Sequence, residues 1–416
     1  MQKRKTLALI VMIALSLCAG SALAEQTLKI GVLGPFTGPN AYNGQQFKDA
    51  AAMAFEEVDY KIGDYKIELV YIDSQSDPAK ALNAYSEAIE SKGVQIGLLG
   101  WHSSVAVAIM DIVALHKIPH FFHIGGTPLI DEKWKSDPKY RYYISKGWPD
   151  QKRMAAEYPK FFKDIVDLGW WKPRNRNVAL FGEDTDAGRN VAEGLKKDFE
   201  SMGWKVVTTQ FFPMTQTDFY PMLSKIKSQD AVIIAGEAAS PSALAALVKQ
   251  YDELGIDAFM VTNGLGWSAN WYEMTGKSSN YVLDMIPRFA TKNAKEWFKK
   301  YSDKFGYEPS SVAGGMPYDY TRFFIKACKR ALEKYGDLSA ESLFKIGEEE
   351  IITGKLTYGF DDGAIIMKEY KYVPETAPDP HISKDHFYFP VLQYMDGDAR
   401  IVYPPDQANA KLEIKK

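Results

Sequence analysis

The chain has 416 residues, with 50 Lys and Arg against 53 Asp and Glu for a formal net charge of −3. So long a chain exceeds one compact core and points to two domains, and its balanced charge leaves no basic footprint for nucleic acid. Its two cysteines are Cys18 and Cys328; with the first inside a leader, neither an intrachain disulfide nor a Cys-based metal site can form.

Lys3, Arg4 and Lys5 open the chain, and the apolar run from Thr6 to Leu17 is broken only by Ser16. Ala22-Leu23-Ala24 then supplies a small-x-small cleavage pattern. This predicts a signal peptide over residues 1–24, cleaved before Glu25, and an exported protein. The run is too short to cross roughly 30 Å of hydrocarbon, and no later segment is long and apolar enough to do so. Leu15-Ser16-Leu17-Cys18 is similar to a lipobox, but Leu17 stands where a small residue should precede the cysteine. A soluble periplasmic form is therefore favoured over a lipid anchor on Cys18. Losing the three basic leader residues leaves 47 basic against 53 acidic side chains, a net of −6.

From Leu28 the chain alternates strand-like and amphipathic helical stretches. Strands are expected over 28–33, 66–72, 94–99 and 118–124, with helices over 46–58, 78–90 and 104–116. Such a β-α series implies a parallel sheet covered by helices on both faces. The series restarts at Asn177-Val178-Ala179-Leu180-Phe181. Strands near 204–210, 231–235 and 258–262 then alternate with helices near 187–201 and 218–228 and one ending near Gly255. A strand over 281–286 leads to long helices at 294–305 and 320–335, and a β-rich stretch follows from Lys355 to Tyr403. With no low-complexity tether between the two series, two α/β lobes joined by crossing strands are expected. Residues 25–146 plus 287–352 would form the first lobe, and 147–286 plus 353–416 the second.

Catalytic signatures fail in turn. Gly31-Val32-Leu33-Gly34-Pro35-Phe36-Thr37-Gly38 lacks dinucleotide spacing, and Pro35 removes a donor that a pyrophosphate would need. Gly276-Lys277-Ser278 imitates a phosphate loop, but Trp271 stands where its first glycine belongs. Neither Gly-x-Ser-x-Gly nor His-Glu-x-x-His occurs. His120 and His123 fall on opposite faces of one strand, and His381 and His386 in a polar, Pro-containing segment. These read as hydrogen-bonded or solvent-facing histidines, not a metal site. No cofactor and no enzymatic activity are expected.

Ser103 and Ser104 open a helix, where free first-turn N–H groups and the helix dipole suit a carboxylate. Gly125-Gly126-Thr127 ends a strand in a bare-backbone turn that offers N–H groups and a hydroxyl. Both lie where open α/β sheets hold ligands, beyond the carboxyl ends of strands. Simple capping and a tight turn account for the same residues.

Several short pieces, taken in order, resemble the leucine/isoleucine/valine-binding family of periplasmic solute-binding proteins. They begin with Gly34-Pro35-Phe36-Thr37-Gly38-Pro39, Gly44 and the Asp73–Pro78 turn, then Gly100-x-x-x-Ser104, Ile118-Pro119 and Gly125-Gly126-Thr127. Phe181-x-x-Asp184-x-x-x-Gly188, Thr217-Asp218-Phe219, Pro317-Tyr318-Asp319 and Val402-Tyr403-Pro404 complete the set. The resemblance spans nearly all of the mature chain. It implies the type I periplasmic-binding fold, two doubly wound parallel-sheet lobes on a multi-strand hinge, with Ser104, Gly125, Gly126 and Thr127 holding a carboxylate.

The second lobe departs from that pattern. The acid expected opposite an α-ammonium falls at Asn263, the aromatic before Gly188 is Ala187, and a further ligand-facing aromatic falls at Glu237 or Ala238. Burying an unpaired ammonium is costly, and Asn263 cannot neutralise one, although Glu237 could. Trp101 and His102 also fall immediately before the carboxylate-binding serines and Tyr42 lies in the first loop, although Trp101 serves equally well as core packing. The preferred ligand is thus an aromatic or hydrophobic carboxylate without an α-amine, with an amino acid as the other choice. The resemblance implies a monomeric extracytoplasmic component of an ABC importer that docks transiently on a permease. The alternative is a periplasmic input protein for a receptor or kinase.

Overall fold

The computed structural model describes residues 26–289, 291–383 and 385–415; the expected leader, its cleavage point and Cys18 lie outside them. The first sheet comprises β1 (Gln26–Gly34), β2 (Lys61–Ile62), β3 (Tyr65–Asp73), β4 (Ile96–Leu98), β5 (His120–Phe122) and β6 (Tyr143–Lys146). Their order is β2-β3-β1-β4-β5-β6, parallel throughout except for the β2–β3 hairpin. Parallel neighbours need crossovers, which α1 (Ala41–Glu56), α2 (Pro78–Glu90), α3 (Ser103–His116) and α4 (Pro128–Ser136) supply. The Ala-rich face of α1 is buried, with Phe47, Ala50, Ala51 and Ala54 in the core. Asp77 caps α2 by accepting the Lys80 N–H at 2.9 Å, as its place before Pro78 suggests.

After β6 the chain passes through α5 (Gln151–Ala155) and α6 (Glu157–Asp167) into a second sheet. This holds β7 (Asn177–Glu183), β8 (Lys205–Phe212), β9 (Ile233–Glu237), β10 (Phe259–Asn263) and β11 (Leu283–Met285). The connections include α7 (Asp186–Ser201), α8 (Tyr220–Ser228), α9 (Pro241–Glu253) and α10 (Trp271–Thr275). The chain then returns through α11 (Lys292–Phe305) to α12 (Met316–Tyr335), which packs on α1, and α13 (Ala340–Ile346). Two lobes of mainly parallel sheet covered by helices result, as the restarted series implied.

The C-terminal stretch is less regular than its composition suggests. Between 355 and 390 the strands among the described residues are β12 (Tyr358–Gly359) and β13 (Glu369–Tyr370), paired with each other, with two isolated bridges besides. Buried Asp319 of α12 accepts the N–H groups of Ile365, Ile366 and Met367 at 2.8–3.1 Å, satisfying backbone that a strand would have paired in a ladder. Pro374, Pro378 and Pro380 further interrupt pairing. Only β14 (Val391–Met395) and β15 (Asp398–Tyr403) enter a large sheet, antiparallel at the edge beside β11, in the order β15-β14-β11-β10-β9-β7-β8.

Candidate ligand-binding cleft

Two tight turns bring the first lobe's groups to the carboxyl end of its sheet. After β4, Leu99 and Gly100 adopt φ values of 65° and 143°. A Cβ on Gly100 would lie 2.2 Å from the Phe122 ring, so glycine is required there. This reversal delivers Trp101 and His102 immediately before α3. The first helical N–H with a backbone partner is Ala106, bonded to His102 O at 2.9 Å, so the N–H groups of Ser103, Ser104 and Val105 form the open end of a 14-residue helix. His102 Nε2 lies 3.0 Å from Asn40 Nδ2, and Nδ1 is buried without a partner. Burial holds the His102 pKa down at about 4, so the ring is neutral at neutral pH.

The second lobe contributes two buried acids, beside the exposed Asp186. Glu183 ends β7 and accepts the Ser240 and Ala239 N–H groups at 2.8 and 3.2 Å, just ahead of α9. Burial outweighs those bonds and lifts its pKa to about 6. Glu237 ends β9, is 2% exposed, and its Oε2 has no partner. Burial, followed by the charge of Glu183, raises its pKa well above the usual range. Between the lobes lies a cleft whose walls include Trp101, His102, Ser103 and Ser104 opposite Glu183 and Glu237. Trp267 closes one side, edge-on to Trp101 at 5.8 Å and 85° and to Trp148 at 5.9 Å and 79°.

Of the ten residues singled out in the sequence, Trp101, His102, Ser104, Gly126 and Glu237 line this cleft. Gly126 has little backbone to spare: its N–H donates to Ser103 Oγ at 3.0 Å, and its carbonyl accepts from Gln151 N–H and Asn190 Nδ2. The other five are absent from its walls. Gly125 makes room for the Ile130 and Tyr143 side chains. Thr127 caps α4, its hydroxyl accepting from Leu129 N–H at 3.5 Å. Ala238 packs in the second lobe's core, and Tyr42 is half-exposed, 6.2 Å from the Tyr307 ring. Asn263 is buried in register with Glu237, one strand away, and its Nδ2 has no partner.

Sequence reasoning passed over Gln151, Glu183 and Trp267, and named Ser103 only with Ser104 at the helix start. Glu183 was legible as the residue before the recognised Asp184, at a strand's carboxyl end. Among the described residues no group of three or more His, Cys, Asp or Glu could hold a metal ion, and no helix is long and apolar enough to cross a membrane. His120 bonds Tyr85 Oη and Leu99 O, both at 2.7 Å. His123 departs from the expected pattern, being buried against Phe47 and Tyr320 with neither ring nitrogen partnered. His386 Nδ1 lies 2.6 Å from Glu369.

Residues 27–349 match the family model described as "Periplasmic binding protein". The chain belongs to that family. Its members bind solutes for transport and are not enzymes. The chain is 26% identical over 253 residues to Leu/Ile/Val-binding protein homolog 6 of Brucella suis biovar 1, covering 61% of each chain. It thus spans under two thirds of that relative. A leucine-, isoleucine-, valine-, threonine- and alanine-binding protein of Pseudomonas aeruginosa is 24% identical over 350 residues, covering 83% of this chain and 88% of the relative. A leucine-binding protein of Thermotoga maritima superposes with a TM-score of 0.72 at 20% identity, over 91% of this chain and 99% of that one.

Proposed function

We propose that this periplasmic binding protein is the extracytoplasmic component of an ABC-type importer and closes on a small amino acid. The observation that carries the ligand reading is Glu237, a buried carboxyl with an unpartnered oxygen, across the cleft from the open end of α3. A carboxylate suits the first-turn N–H groups and the helix dipole. An ammonium suits Glu237, because it supplies the counter-charge that the cleft lacks. The preference for a ligand without an amine rested on Asn263, and in-register Glu237 supplies an acid one strand away. The names of similar proteins divide. Those in Pseudomonas and Thermotoga name amino acids, while two similar structures from Rhodopseudomonas palustris hold 3,4-dihydroxy benzoic acid and 4-hydroxybenzoate. The reading for an amine therefore rests on Glu237 and not on the names.

Closure is read as a hinge motion of residues 25–146 plus 287–352 against 147–286 plus 353–416. Within the latter range the stretch from Thr357 to Met367 is reassigned to the first body, because Lys326 and Asp319 of α12 bond Thr357, Ile365, Ile366 and Met367. Calorimetry against amino acids and their matched des-amino acids tests the ligand class. The amino acid of each binding pair should bind at least tenfold tighter, and Glu237→Gln should remove that preference. A des-amino acid that binds as well as its parent would refute the reading.

A further inference from the structure

Trp267 lines the same cleft and carries an unanswered donor. It sits on the one-turn helix Leu265–Trp267 after β10, and that turn is tied down. Asp284 accepts Gly266 N–H at 3.0 Å, Gly264 N–H at 3.4 Å and Tyr394 Oη at 2.9 Å. The indole is wedged edge-on between Trp101 and Trp148 and is 3% exposed. Its position is therefore fixed, yet its Nε1–H is buried with no acceptor. An indole N–H can only donate, and a buried donor ordinarily finds a partner. Of the acceptors held by its neighbours, Gln151 takes the Trp148 Nε1–H, and Asp284 takes the turn. The cleft is also poor in aliphatic surface. Ile124 is its one branched aliphatic wall, beside Ala187 and Ala239.

We infer that Trp267 reads the side chain of the solute, its Nε1–H donating to a side-chain oxygen. The cleft then selects small hydroxyl- or amide-bearing amino acids over branched aliphatic ones. This rests on the amino-acid reading above and narrows it. A hydroxyl oxygen at that point answers the orphaned donor, whereas a methyl leaves it unpaired and dry. The asymmetry favours the polar side chain on the order of tenfold.

Threonine and valine differ in shape by little more than a hydroxyl for a methyl, so they isolate the contact. Calorimetry on the wild-type protein should give threonine at least tenfold tighter binding than valine. Trp267→Phe keeps the aromatic packing and removes the N–H. It should bring the two within about threefold by weakening threonine alone. Valine binding as tightly as threonine overturns the inference, as does failure of both to bind. Equal weakening of both by Trp267→Phe assigns the N–H to the shared carboxylate and also overturns it. Should the variant not fold, the wild-type ratio still decides. An aliphatic preference in which amino acids still outcompete their des-amino acids sinks this inference and leaves the amino-acid reading standing.

Discussion

Glu183 and Glu237 stand together in the cleft with His102 neutral opposite, so the empty site holds acid groups without a counter-ion. A carboxyl whose folded pKa is raised binds its proton more tightly folded than unfolded. Stability from such a group is present at low pH and is lost as pH rises, from about 4.5 to about 6 for Glu183. Glu237 extends the loss to higher pH. Glu237→Gln removes that liability and should raise the melting temperature of the empty protein at pH 7.5, with little change at pH 4.5. The same variant should forfeit most stabilisation by a bound amino acid, which differential scanning calorimetry reads in one series. A lower melting temperature for the empty variant at pH 7.5 would show that Glu237 is not a buried acid without a counter-charge. The site was half legible in the sequence for a related reason. Trp101, His102 and Ser104 follow a strand and open a helix, where local spacing fixes position. Glu237 and Asn263 lie 26 positions apart and become neighbours only through the pairing of β9 with β10.

Strand and helix order was legible because hydrophobic period and chain punctuation act locally. The strand expected over 118–124 contracts to β5, since Ile124 turns away to bond Gly100 O at 3.0 Å. The stretch from 355 to 390 read as β-rich from its aromatic and β-branched residues, but Asp319, from a helix, takes its backbone donors. The β4–α3 turn is the element on which the first lobe's contribution depends. Gly100→Ala places a methyl against the Phe122 ring at a φ of 143° that alanine strongly disfavours. We expect a loss of about 2–4 kcal/mol in urea unfolding. Ligand affinity should fall as well, because Trp101, His102 and the open end of α3 all hang from this turn. Unchanged unfolding would mean that the turn relaxes freely.

At the scale of the whole molecule, the chain crosses between lobes after β6, after β11 and again before β14, and the first crossing is strongly tied. Buried Lys146 lies 2.8 Å from Asp131 and 2.5 Å from Asp379, whose Oδ2 accepts Asp150 N–H at 2.8 Å. From the second lobe, Asn190 on α7 donates to Asp150 Oδ1 at 2.7 Å and to the Gly126 carbonyl at 3.3 Å. Asn190 therefore fastens α7 to both the crossing segment and the first lobe, and it is not among the cleft walls. The Gly126 bond joins the two bodies and is made only with the lobes together, so it biases closure without touching a solute. The one bond that joins the two bodies contributes about 0.5–1.5 kcal/mol to the closed form. Apparent affinity scales with the population of the binding-competent state. Asn190→Ala should thus weaken binding of an amino acid roughly two- to twelvefold, chiefly through faster release, with the melting temperature of the empty protein nearly unchanged. Small-angle scattering supplies the second readout. Saturating ligand should compact wild-type protein and Asn190→Ala alike, while the empty variant should be more extended than empty wild type. Identical scattering from the two empty proteins, together with unaltered affinity, would remove Asn190 from the closing contact.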